Sequence, residues 1–333
     1  MKFNTLEKKL KLQSNDYSSV ERDFLKLTGE KLINQDNYRK LAKIQLKTLS
    51  IIIPYYNSEK SIFYTLNSIQ KQQNINFKKI EVIIIDDSSS KQLKIKHNYQ
   101  FKVKIIRLDQ NKGRVRVRNI GMLMANNCTV MFLDADIVLH ENVLYNHLLV
   151  HSVLNKHNLL LVGYREWIKK QDKRILKERL KVDDINLSFD HRIKITFRNR
   201  HLPYIKDNKK LLGKTIYIAK DTNYYKNFGN YKSYFNLKLY QQIYGFLFSL
   251  PRSIIEKSGP VGETSKGWGS DDVMLVARFI ASGAKIIPLL NSTALHLYDI
   301  NGNAEEEQKI LEREINLKRF KQQLKEPFVE FIK

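Results

Sequence analysis

The chain has 333 residues, 42% of them hydrophobic, enough for one large domain or two smaller ones, and this excludes wholesale disorder. Its 58 Lys and Arg against 34 Asp and Glu leave a net charge of +24, which points to anionic partners: nucleotide phosphates, an acidic membrane surface or nucleic acid. The single cysteine, Cys128, excludes an intrachain disulfide; no apolar leader opens the sequence, and no apolar run approaches the roughly 18–20 residues of a membrane span.

Residues 1–47 read as a Lys-rich helical extension. Ser18-Ser19-Val20-Glu21 fits a capping box opening a helix through Leu27, and Asp36 is placed to cap a second helix carrying Leu41, Ile44 and Leu46. A β-branched run over 49–54 predicts a buried parallel strand, followed by a helix capped by Ser58 with Ile62, Leu66 and Ile69 on one face. Further strands are expected over 80–85, 103–108, 128–133 and 159–162. Gly113 precedes a helix with Val115, Ile120 and Leu123, and 141–155 reads as another. Cys128 is expected as a buried thiol in its strand. Strands alternating with helices imply a doubly wound, mostly parallel sheet.

Over 164–240, basic stretches (169–181 and 192–200) alternate with aromatics, among them Tyr217, Tyr224, Tyr225, Phe228, Tyr231, Tyr234 and Phe235. These rings suit either sugar or base stacking, or ordinary packing. A strand is expected over 245–250, then a helix from Pro251 ended by Gly259. Gly267-Trp268-Gly269-Ser270-Asp271-Asp272 leads into a helix with Val273, Val276, Ala277 and Ile280 on one face. A strand over 285–290 then brings the chain to His296, and an amphipathic helix over 304–325 ends the pattern.

The chemistry concentrates at strand ends. Asp134 and Asp136 follow an apolar strand at i, i+2 spacing, a costly placement unless a cation neutralises them. Mg²⁺ or Mn²⁺ suits such oxygen ligands. Two earlier strands also end in polar clusters, Pro54-Tyr55-Tyr56-Asn57 and Asp86-Asp87-Ser88. In open α/β sheets ligands bind at the carboxyl ends of strands, so three such ends side by side would hold an anionic ligand with a metal.

These residues resemble the GT-A fold of family 2 glycosyltransferases. The matching pieces are 51–57, 83–89, Gly113 with Arg118-Asn119-Ile120-Gly121, and 133–136; 267–272 with His296 is similar to the C-terminal region of galactosyltransferases. The resemblance implies a Rossmann-like α/β fold with helical N- and C-terminal extensions. The organisation it implies is 1–47 extension, 48–163 nucleotide-sugar half, 164–300 acceptor and catalytic half, and 301–333 terminal helix. Pro54, Tyr55, Asn57, Asp86 and Asp87 would meet the nucleoside and Arg118 the diphosphate. Asp134, Asp136 and His296 would hold Mn²⁺ or Mg²⁺. Trp268 would pack a sugar, and Asp272, with Asp271 beside it, would act as base. Asp271 departs from the family's usual Glu, and Val261-Gly262-Glu263 lacks the aromatic expected before the acid.

The activity implied is transfer of a sugar, with inversion, from a UDP-sugar to a glycan, glycolipid or peptide acceptor. Surface polysaccharide or glycoconjugate synthesis is the setting, in the cytoplasm with peripheral contact to anionic membrane, and no nucleic-acid partner is expected. A nucleotidyltransferase and a non-catalytic basic nucleic-acid binder are the alternatives.

Overall fold

The structure is a computed structural model that describes residues 5–17, 44–181, 184–186, 245–262, 267–298 and 303–329, with short pieces at 19–20, 22–23, 26, 32–34, 215–217, 233–234, 237–238, 240 and 243. Its centre is an eight-stranded sheet. The strands are β1 (Leu49–Tyr55), β2 (Ile80–Asp86), β3 (Lys102–Arg107), β4 (Thr129–Leu133), β5 (Ile137–Leu139), β6 (Leu159–Lys169), β7 (Leu247–Pro251) and β8 (Lys285–Tyr298). They lie in the order β3-β2-β1-β4-β7-β6-β8-β5. Pairings among β3, β2, β1 and β4, and between β6 and β8, are parallel. Strand β7 runs antiparallel between β4 and β6, and β5 antiparallel beside β8.

Continuous β-branched runs give β1 and β2 two buried faces, as a sheet covered by helices requires. Alternation divides β1 between two cores. Leu49, Ile51, Ile53 and Tyr55 join Ile62, Leu66 and Ile69 of helix α2 (Glu59–Gln70), after the short N-terminal helix α1 (Leu6–Lys11). Ile52 faces the other way, toward α3 (Arg114–Met124). There a Cβ on Gly121 would stand 2.3 Å from Ile52 Cγ2, so only glycine lets α3 lie this close to the sheet. Helix α4 (Val143–Val153) packs on both cores, and α5 (Arg252–Ser258), α6 (Asp271–Ala281) and α7 (Asn303–Gln323) complete the helical layers.

Several local expectations change. Leu123 is 62% exposed, because α3 turns only its Val115 and Met122 side to the core. Cys128 lies ahead of β4 and is exposed, since the strand starts at Thr129. The Ser58 hydroxyl donates to the Tyr56 carbonyl at 3.0 Å instead of capping α2. Ile44 and Leu46 reach the core from non-helical backbone leading into β1. Ser18, Glu21, Asp36, Leu41 and the aromatic side chains from Tyr217 to Phe235 lie outside the described residues. Strand β6 runs on past Val162 to Lys169, through the boundary expected at 163, so the two halves share one sheet.

Candidate active site

The Asp134-Ala135-Asp136 turn joins β4 to β5 and is held from three sides. Asp134 N–H donates to the Phe246 carbonyl at 3.1 Å, Thr65 Oγ1 to the Ala135 carbonyl at 3.0 Å, and Leu297 N–H to the Asp136 carbonyl at 2.9 Å. The backbone is therefore fixed by α2, the β7 approach and β8. Both carboxylates are half-buried, and a ligand atom from each lies within 4.8 Å of the others and of His296. Burial pushes Asp134 above the ordinary carboxylate value against the pull of Arg118, and Asp136 adds to the rise. Asp136 moves the other way: burial would raise it, but the His296 imidazole facing it holds it down.

Arg118 reaches in from α3, only 3% exposed. Its Nη2 donates to Asp134 Oδ1 at 3.3 Å and its Nη1 meets Asp271. His296 lies within β8, not after a strand, because β8 continues through a register shift between Pro288 and Thr293. Its Nε2 is 3.4 Å from Asp136 Oδ1, while Arg165 Nη1 donates to its Nδ1 at 2.9 Å.

Asp271 and Asp272 open α6, where the helix dipole favours carboxylates. Ser270 precedes them at φ +65°, and Gly267 and Gly269 at +75° and +88° carry the chain in a conformation other residues avoid. The segment is braced by α7: Trp268 N–H donates to Glu312 Oε2 at 2.7 Å, and Asn316 Nδ2 to the Trp268 and Gly269 carbonyls at 3.2 and 3.1 Å. Asp271 is buried on Arg118. Asp272 is half-buried, and its Oδ2 accepts the Gly245 N–H at 3.0 Å. The Trp268 ring remains partly exposed.

The residues expected at the nucleoside, at the ends of β1 and β2, are engaged by the protein itself. Tyr55 is 1% exposed, its ring within the α2 core; burial, with Glu59 and Asp86 nearby, pushes its phenol up to about 12. Strand alternation turns it inward and leaves Tyr56 exposed. Asp86 is fully enclosed: Oδ2 pairs with Arg107 Nη1 at 2.7 Å and Oδ1 accepts Ser89 N–H at 2.9 Å. Asp87 accepts the backbone N–H of Lys112 at 2.7 Å and of Gly113 at 2.9 Å. Both acids thus build the floor and walls of the cleft. Pro54 is half-buried, and exposed Asn57 (φ +47°) accepts from Ser90 at 2.8 Å.

Two close carboxylates fit a hard divalent cation, and the buried Asp136 Oδ1 has only His296 Nε2 near it, at 3.4 Å, too long for a well-made hydrogen bond, as a cation site would leave it. His296 completes the donor set if its Nε2 carries a lone pair. Sequence reasoning missed Arg165 and Trp167, which flank His296, because it ended β6 at Val162; the polarity of the run gives no strand signal, since Glu166 falls on its buried side and Trp167 on its exposed side.

Residues 50–202 match the model of a family described as glycosyl transferase family 2. An uncharacterized glycosyltransferase of Haemophilus influenzae is 38% identical over 88 residues, 26% of this chain and 29% of that protein. The poly(ribitol-phosphate) beta-N-acetylglucosaminyltransferase TarS of Staphylococcus aureus is 38% identical over 101 residues, 28% of this chain and 17% of that one. The chain thus spans less than a third of the length of either relative. A crystal structure of S. aureus TarS with UDP-GlcNAc superposes with TM-score 0.49 at 17% identity, covering 78% of this chain and 60% of that one.

Proposed function

From the match of residues 50–202 to the model of glycosyl transferase family 2, we propose that this chain transfers a sugar from a UDP-sugar to a glycan-type acceptor, with inversion. The observation that carries the reading is the convergence of Asp134, Asp136, Arg118 and the Asp271-Asp272 helix start on one cleft at the strand ends. The nucleoside lies over the loops after β1 and β2, whose walls Asp86 and Asp87 brace. Asp134 and Asp136 would hold Mn²⁺ or Mg²⁺, and His296 would join them once its Nε2 is freed. When bound, such a cation supplies Lewis-acid neutralisation of the leaving diphosphate.

The chain's own residues do the rest. Arg118 adds a buried positive charge beside Asp134, where negative charge builds on the leaving group. Asp272, the more open of the two helix-start acids, takes the proton from the acceptor hydroxyl as it attacks the anomeric carbon. One base and one displacement give inversion. Asp271 holds Arg118 in place and Trp268 packs a sugar. Relatives named for teichoic acid and amylovoran synthesis support a surface polysaccharide as the setting.

No described helix is long and apolar enough to cross a membrane. The +24 charge supports peripheral attachment to anionic lipid, which sedimentation with anionic vesicles at low salt would test. The deciding experiment for the activity offers the full chain a panel of UDP-sugars with Mn²⁺ and measures UDP release. Expected is release from at least one donor, lost in EDTA and in Asp134→Asn. Pyrophosphate in place of UDP would instead mark a nucleotidyltransferase.

A further inference from the structure

Trp167 on β6 pairs directly with His296 on β8, and their rings stack at 3.9 Å and 18°. Arg165, two residues earlier on the same face of the strand, lays its guanidinium carbon 4.3 Å from the Trp167 ring centroid. That guanidinium also donates to His296 Nδ1 at 2.9 Å. Groups in contact with each other cannot lie on opposite faces of one indole, because partners on opposite faces would be roughly 8 Å apart at these spacings. His296 and Arg165 therefore cover the same face. The other face is turned outward, and the residue is 48% exposed.

This is an aromatic ring held rigid from behind and presented at the rim of a polar cleft. The stacking of His296 and Arg165, with Tyr298 edge-on at 6.2 Å, orders the indole before any ligand arrives. Such a face suits the apolar C–H face of a pyranose, whose hydroxyls stay in water.

The sheet order decides which pyranose. On the reading given above, the nucleoside lies over β1 and β2, and the diphosphate at Asp134 and Asp136 after β4. Trp167 is on the far side, beyond β7, next to His296. A ligand there approaches the acids from the side opposite the nucleoside. We propose that the outer face of Trp167 is an acceptor subsite that stacks one pyranose ring of the incoming glycan. The proposal rests on the donor placement of the preceding section.

The chain has two tryptophans, so Trp268→Phe leaves Trp167 as the only indole. The experiment follows emission of that full-length variant with saturating UDP and Mn²⁺, then adds the methyl β-glycosides of glucose, N-acetylglucosamine, galactose and N-acetylgalactosamine in turn. Expected is a saturable change above the UDP baseline with at least one glycoside. Silence toward all four, with UDP bound as judged by thermal stabilisation of the same variant, overturns the subsite alone. A full change on adding a UDP-sugar without glycoside assigns the ring to the donor and also overturns it. Failure of UDP with Mn²⁺ to stabilise the wild-type chain removes the donor reading, and the subsite with it.

Discussion

Arg165 donates to Nδ1 of His296 across 2.9 Å. A guanidinium has no lone pair to give, so Nδ1 is the acceptor and the proton of the neutral ring lies on Nε2, facing Asp136. In this state His296 braces a carboxylate and cannot ligate a cation through Nε2. Arg165→Gln supplies a carbonyl that accepts from Nδ1–H and frees Nε2. Mn²⁺ binding, followed by electron paramagnetic resonance, should tighten by about tenfold. Unchanged affinity would mean that the Arg165 contact does not govern the ring.

The two acids opening α6 should separate by phenotype. Asp272→Asn keeps a carbonyl for the Gly245 N–H, so its Tm should stay near wild type while turnover falls on the order of 10²–10⁴. Asp271→Asn weakens a buried partner of Arg118 and should instead cost stability, about 3 kcal/mol at most given that Arg118 keeps Asp134. Urea denaturation and UDP release on both variants check this; near-normal turnover of Asp272→Asn would remove it as the base.

Gly121→Ala should destabilise the domain by about 1–3 kcal/mol, because the added methyl meets Ile52 at the helix–sheet contact. Adding Ile52→Ala opens the space, so the double variant should be more stable than the sum of the single effects predicts. Strict additivity in urea midpoints would contradict the close approach.

Beneath the site, His147 bridges Ser249 and Ser292 at 2.6 Å each, and His151 meets Ser249 at 2.8 Å. Burial lowers His147 to about 3 and His151 well below its ordinary value, with His147 adding to the latter. Both folded values lie below the unfolded one near 6.5, so between them the unfolded chain binds more protons. Stability is full above about pH 6.5 and is lost as pH falls, by up to about 1.4 kcal/mol per unit for each histidine. Urea unfolding at pH 7 and 5 should show the loss, and His147→Gln should flatten it; an equal slope in the variant would assign the acid sensitivity elsewhere.

The strands around Asp134 and Asp136 were legible because short, continuous apolar runs such as Thr129–Leu133 read as buried strands, and the strand-end acids marked the cleft. What stayed hidden depended on partners distant in sequence. Tyr55 shares its face with Leu49, Ile51 and Ile53, but only the α2 core on that side makes the face a closed one. Asp86 looks like a ligand contact until β3 brings Arg107 beside it. Residues 163–169 alternate in burial but not in polarity, with Glu166 on the inner side and Trp167 on the outer, so the expected strand stopped where the apolar run stopped.

The brace of α7 on the Gly267–Gly269 segment also sets an order in time. Glu312 and Asn316 are made some forty residues after Trp268. The N-terminal helix waits as well: Leu6 and Glu7 donate their N–H groups to the carbonyls of Glu326 and Leu324, beyond α7. On a ribosome, every acid of the cleft is therefore polymerised before the helix that steadies the last two has emerged. The nascent chain passes through a stage with its chemistry encoded but its geometry incomplete, and α1, made long before its partners at Leu324 and Glu326, is among the last of the described elements to find its place.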